Sequence, residues 1–157
     1  MRTAQEILDT YWDGKLPIDV KGIAHRMGIE VIDNPMLEVS GSIEILPNGK
    51  VKIEVDSTQY GPRQKFTIAH EIGHLALGHL GPSNRLLRDQ ASNFMTGVYV
   101  PVEREANKFA AALLMPERMI KFAVSQGYNS LSKLARLFDV SEGAMKWRLI
   151  NLGLINA

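Results

Sequence analysis

Residues 64–79 read QKFTIAHEIGHLALGH, and His70, Glu71 and His74 within them form an HExxH pattern. Successive residues of an α-helix turn by about 100°, so His70 and His74 lie only about 40° apart around the axis and both imidazoles can reach one ion. Glu71 projects to the side of that pair, a position suited to a general base acting on water at the metal rather than to a third ligand. A catalytic zinc takes three protein ligands and keeps one position open, so this segment alone is an incomplete site. The chain has no cysteine, so the remaining ligand must be His, Asp or Glu.

A helix is expected over roughly 63 to 79. Phe66, Ile68, Ala69, Ile72, Leu75, Ala76, Leu77 and Leu80 would cover about 200° of its circumference, leaving a narrow arc with Thr67, His70, Glu71, His74 and Gly78. A solvated face normally carries Lys, Arg, Gln or several Glu, whereas this arc holds two histidines and one glutamate. That favours a metal site over the alternative, a structural or degenerate remnant. His79 follows the motif closely, but the three-histidine pattern HExxHxxGxxH needs Gly and His at positions 77 and 80, and both are Leu. On a continuing helix His79 would fall opposite His70, so a core or helix-end role is expected for it.

A second segment, PVEREANKFAAALLMP, opens on Pro101 and repeats apolar residues at Ala106, Phe109, Ala110, Leu113 and Leu114, which predicts a helix over 101 to 115. Glu103 and Asn107 sit one turn apart at the edge of that stripe. About 200° of rotation separates Glu103 from Glu105, so a regular helix cannot turn both toward one ion. Glu103 is the expected third ligand; the simpler alternative is a favourable charge at a helix N-terminus. Glu105 is expected to be a surface or ion-paired residue.

The elements around these segments are short. Thr3 and Glu6 have capping-box spacing ahead of a first helix, and Val20, Ile23, Ala24 and Met27 continue in helical register up to Gly28. IEVID reads as a strand. SIEILPNGKVKIEV alternates about Asn48-Gly49 and predicts a hairpin, with Ile43, Ile45, Val51, Ile53 and Val55 facing the core. Residues 81 to 100 lack a period and read as a long loop, and further helices are expected over 117 to 126, 129 to 138 and 141 to 152. At 157 residues, 45% hydrophobic and with a formal net charge of +1, the chain has the size of one domain, 1–157, and no strong field for nucleic acid or a membrane surface. No segment approaches about 20 consecutive apolar residues or a signal-peptide core, so a cytoplasmic protein without membrane association is expected.

Taken together, QKFTIAHEIGHLALGH and EREANKFAAALLMP, with the hairpin before them and LPIDVKGIAHRMGIEV near the start, resemble the ImmA/IrrE family of metallo-endopeptidases. The resemblance covers most of the chain. It implies an α+β, zincin-like metallopeptidase fold in which a small antiparallel sheet or hairpin packs on the HExxH helix and the C-terminal part is helical. It also implies one zinc per chain held by His70, His74 and Glu103, with Glu71 as base and Asn107 orienting a ligand histidine. Family members are often paired with helix-turn-helix repressors, so the implied substrate is such a protein.

Tyr60, Tyr99 and His25 are candidate donors to a tetrahedral oxyanion, and an exposed edge of the 42 to 55 hairpin is a place where a peptide could add as a strand. Glu44, Lys52 and Glu54 on its outer face read more simply as solvation. The tail, 128 to 157, resembles a helix-turn-helix with Val140-Ser141 entering its second helix, which supports a rival reading as a DNA-binding or repressor-binding regulator. Lys133, Arg136, Lys146 and Arg148 against Asp139 and Glu142 make a weak basic footprint. Leu131, Leu134, Ala135, Phe138, Met145, Leu149 and Leu152 are expected to pack on the body instead. A third reading keeps the zinc but makes activity depend on docking to a partner.

Overall fold

The computed structural model describes the backbone of residues 1–80, 85–87 and 99–157, with side chains described for 1–80 and 101–157. Helix α1 (Ala4–Tyr11) begins at Thr3, whose hydroxyl accepts from the Glu6 amide while the Glu6 carboxylate accepts from the Thr3 amide; such a cap contributes about 1 kcal/mol. Helix α2 (Val20–Arg26) is capped by Asp19, and Gly28 at φ +81° turns the chain into β1 (Ile29–Asp33). Strands β2 (Gly41–Ile45) and β3 (Val51–Val55) form the hairpin, with Gly49 at φ +85° in the turn.

A short strand β4 (Arg85–Leu87) completes a four-stranded sheet of order β1-β3-β2-β4. The sheet is mixed rather than antiparallel: β1 runs parallel to β3, while β2 pairs antiparallel with β3 and β4. Alternating apolar residues mark which face of a strand is buried but leave neighbour and direction open, so the inserted position of β3 could not be read from them. A second expectation also changes. The hairpin has no open edge along Ser42–Glu44, because β4 lies against it there and β1 lies against β3. The stretch expected as an unstructured loop therefore contains a strand, and the rest of 81 to 98 lies outside the described residues.

Helix α3 (Gly61–Ala76) has Pro62 in its first turn, and α4 (Tyr99–Leu114) packs extensively against it. Helices α5 (Glu117–Ser125), α6 (Leu131–Phe138) and α7 (Glu142–Asn151) follow, the last two capped by Ser130 and Ser141. One apolar cluster takes Ile43, Ile53 and Val55 from the sheet, Ile68 and Ile72 from α3, Phe109 and Leu113 from α4, and Leu134, Phe138, Met145 and Leu149 from the tail. Each fully buried side chain of this size contributes about 1.5–3 kcal/mol. Ile45 and Val51, expected inside, are only half-buried, because they face each other at the turn end of the hairpin. Leu131 and Leu152 pack on the cluster while half-buried.

The close approach of α3 and α4 depends on Gly73, inside the HExxH motif. A Cβ at that position would meet three Phe109 side-chain atoms at 3.0–3.2 Å, so the absence of a side chain lets the two helices bring their polar edges together.

Candidate metal centre

Helix α3 presents His70 and His74 on one line, with their Nε2 atoms 2.9 Å apart. From α4, Glu103 places Oε2 3.0 Å from His70 Nε2 and Oε1 3.0 Å from His74 Nε2. Both imidazoles are fully buried and the Glu103 side chain is 13% exposed. The three residues thus offer one ligand atom each, all within 4.8 Å of one another. Bonds of about 2.0–2.1 Å in a tetrahedron put ligand atoms roughly 3.3 Å apart, so this triangle needs only a slight expansion to seat zinc.

The groups at the outer ends of the rings favour a proton on Nδ1 of each candidate ligand. Asn107 Oδ1 lies 2.7 Å from His70 Nδ1, and a carbonyl oxygen can only accept, so Nδ1 is protonated and Nε2 keeps its lone pair. His74 Nδ1 lies 2.9 Å from His79 Nδ1, and His79 Nε2 lies 3.4 Å from Glu105 Oε2. With His79 Nε2 donating to Glu105, its Nδ1 accepts from His74, which leaves His74 Nε2 as a lone pair as well. Two imidazole lone pairs and a carboxylate therefore converge on one point, and acceptors facing acceptors call for a cation between them.

Electrostatics favour the same state. Burial is the main influence lowering the His74 pKa from 6.5 to about 4, against the raising effect of its hydrogen bond and charge interaction with Glu103. For Glu103 burial acts upward, but the hydrogen bonds and charges of His70 and His74 outweigh it and hold the carboxyl below its ordinary range. Burial thus biases His74 toward its neutral form and the two rings bias Glu103 toward its carboxylate, the directions that ligation requires.

Glu71 follows His70 in the same helix and is fully buried. It points toward the start of β2, where a Cβ on Gly41 would lie 3.5 Å from Glu71 Oε1 and would collide with the Thr67 methyl group. Gly41 thereby leaves room for the carboxylate against the sheet. Glu71 belongs to neither the ligand triangle nor the outer chain of partners described above.

A profile for the IrrE N-terminal-like domain, Peptidase_M78, matches residues 24–149. The chain belongs to the ImmA/IrrE family. Over 147 residues it is 32% identical to the radiation response metalloprotease IrrE of Deinococcus deserti, an alignment covering 87% of this chain and 48% of that protein. This family member thus spans about half the length of that curated relative. A solved Mycobacterium tuberculosis transcriptional regulator matches with a TM-score of 0.65 over 94% of this chain and 44% of its own length, at 22% identity, and so shares the fold.

The other candidates are dispersed. Tyr60 is 70% exposed at the N-terminal end of α3, His25 is exposed in the last turn of α2, and the side chain of Tyr99 lies outside the described residues. Helix α3 ends at Ala76 and Gly78 adopts φ +74°, so His79 does not continue the helix toward the apolar side but folds back onto His74. The sequence reading missed this pairing because it extended the helix. The signal was Gly78, a residue suited to a left-handed helix end. The tail turns its apolar side to the core and is tied to α3 by Lys65 and Asp139 at 2.6 Å. Among the described residues no helix is long and apolar enough to cross a membrane.

Proposed function

We propose that this ImmA/IrrE family member is a zinc-dependent endopeptidase, a single zincin-like domain that hydrolyses peptide bonds in a cytoplasmic protein, with a helix-turn-helix transcriptional repressor as substrate. The observation that carries the reading is the convergence of His70 Nε2, His74 Nε2 and the Glu103 carboxylate beside a buried Glu71 that is not among them. Zinc held there would polarise the scissile carbonyl and make a water acidic. Glu71 would serve as the base that takes a proton from the attacking water and returns it to the leaving amine. Asn107 and His79 hold the two rings so that each Nε2 faces inward. The choice of a repressor as substrate rests on the family resemblance.

The test is to incubate the zinc-loaded protein with the repressor encoded beside its own gene and to analyse the products by mass spectrometry. Fragments that vanish on chelation and in Glu71→Gln support the reading. An intact repressor, or fragments that persist in Glu71→Gln, would overturn it. Elemental analysis adds a second check: Glu103→Ala should lose tightly bound zinc.

A further inference from the structure

A cleft of about 640 Å³ opens beside the metal centre, between the first turns of α3, the middle of α4 and the outer face of α7. It reaches the outer side of His70 without being lined by the candidate ligands themselves: Asn107, which contacts His70 Nδ1, lines it, and so does Phe66, whose ring centroid lies 6.4 Å from that of His70. Its walls are largely apolar, with Phe66, Leu114, Met115 and Trp147, the last 64% exposed. Every charged residue lining it is a cation: Arg63, Lys108 and Arg148.

These cations are poorly compensated. Among the described residues neither Arg63 nor Lys108 makes an ion pair. Arg148 is anchored by its Nε, which donates to the Met115 carbonyl at 2.9 Å, and Glu117 acts on its charge from outside the cleft. The nearby Asp139 is engaged by Lys65. An apolar trough with unmatched positive charge is complementary to a chain segment that carries an apolar side chain next to carboxylates.

We propose that this cleft binds the substrate segment on one side of the scissile bond and selects an apolar residue flanked by Asp or Glu. The assignment rests on the peptidase reading and names its substrate class. Nucleic acid fits less well, because most of the lining is apolar and the chain's formal net charge is only +1. Trp147, placed on the second helix of the helix-turn-helix-like tail, thereby becomes part of a peptide site.

The experiment uses the whole 157-residue chain, zinc-loaded and carrying Glu71→Gln, which should retain substrate without cutting it. Two fluorescein-labelled dodecapeptides with identical Gly-Ser flanks, one centred on Asp-Leu-Phe-Glu and one on Lys-Leu-Phe-Lys, are titrated by anisotropy, with a labelled oligothymidylate as third probe. The acidic peptide should bind at least about tenfold more tightly than the basic one, and added salt should shrink that preference. Arg63→Glu combined with Lys108→Glu should reverse the order of the two peptides while zinc content and melting temperature stay unchanged. Equal affinities, a preference unmoved by the charge reversals, or tighter binding of the oligothymidylate would overturn the proposal. Because the readout is binding, the two readings fail separately. Glu71-dependent cleavage of a repressor without the charge preference removes this proposal alone, whereas a charge preference with no cleavage removes the peptidase reading and leaves the cleft a binding site for acidic, apolar segments with no scissile bond.

Discussion

The Nδ1 atoms of His74 and His79 lie 2.9 Å apart, and the far side of the His79 ring reaches Glu105. His79 thus stands to His74 as Asn107 stands to His70, although it falls only five residues from its partner and just past a helix end. The two candidate ligand rings are held by different chemistry: a neutral amide for one, an imidazole backed by a carboxylate for the other.

His79→Ala should therefore weaken zinc binding by about 10–100-fold while one zinc per chain still binds at saturation. His79→Gln, which restores an acceptor, should recover part of the loss. Glu105→Ala should have a smaller effect, because its carboxylate is 57% exposed and such pairs are worth about 1 kcal/mol or less. Competition against a chromophoric chelator measures all three. Unchanged affinity in His79→Ala would reduce that ring to packing.

Glu71→Gln should keep both zinc and fold, because Glu71 lies outside the ligand triangle, and should slow hydrolysis by about 10²–10⁴-fold through loss of the proton carrier. Fragment accumulation and elemental analysis on the same preparation separate the two effects. Loss of zinc in this variant would make Glu71 a ligand and undo its assignment as base.

The metal-free protein should lose stability on acidification. His74 titrates at 6.5 when unperturbed and is lowered to about 4 by burial, so between those values the unfolded chain binds the extra proton and stability rises with pH. The same direction holds for Glu103, whose stabilising ionised form is lost only as pH falls below the ordinary carboxylate range. Melting temperature in chelator should thus fall steadily from pH 6.5 toward 4. Zinc should raise it at neutral pH and progressively less in acid, as protons compete for the ligands. A flat profile for the chelated protein would contradict neutral burial of His74.

Much of the candidate site was legible because its spacing is set by helix geometry. His70 and His74 share a face at any helix position, and the half-turn between Glu103 and Glu105 decides which of them can join that face. The capping box at Thr3, the turn at Gly49 and the apolar register of Phe109 and Leu113 are equally local signals. What escaped depends on contacts far apart in sequence. The parallel pairing of β1 with β3 and the cover of β2 by β4 leave no mark on strand alternation. A helix-end place for His79 was legible, but its contact with His74 depends on α3 ending before Gly78, whose φ is +74°. The cleft joins Arg63, Lys108 and Arg148 from three helices, and only tertiary packing brings them together.

Gly73 provides a test of how the two helices that carry the candidate ligands are spaced. Alanine there would gain up to about 1 kcal/mol in helix propensity, yet its Cβ would press on the Cβ, Cγ and Cδ1 atoms of Phe109 at 3.0–3.2 Å. Overpacking of this kind costs about 1–3 kcal/mol, so the clash should outweigh the propensity. Because the contact lies between α3 and α4, relief by moving the helices apart would also draw Glu103 away from His70 and His74. Gly73→Ala should therefore lower both the melting temperature in chelator and the zinc affinity. Adding Phe109→Leu, which removes ring atoms from the contact, should restore part of each, and the double-mutant cycle reads the coupling directly. A Gly73→Ala protein that melts higher and binds zinc as before would show that α3 and α4 do not need this close approach.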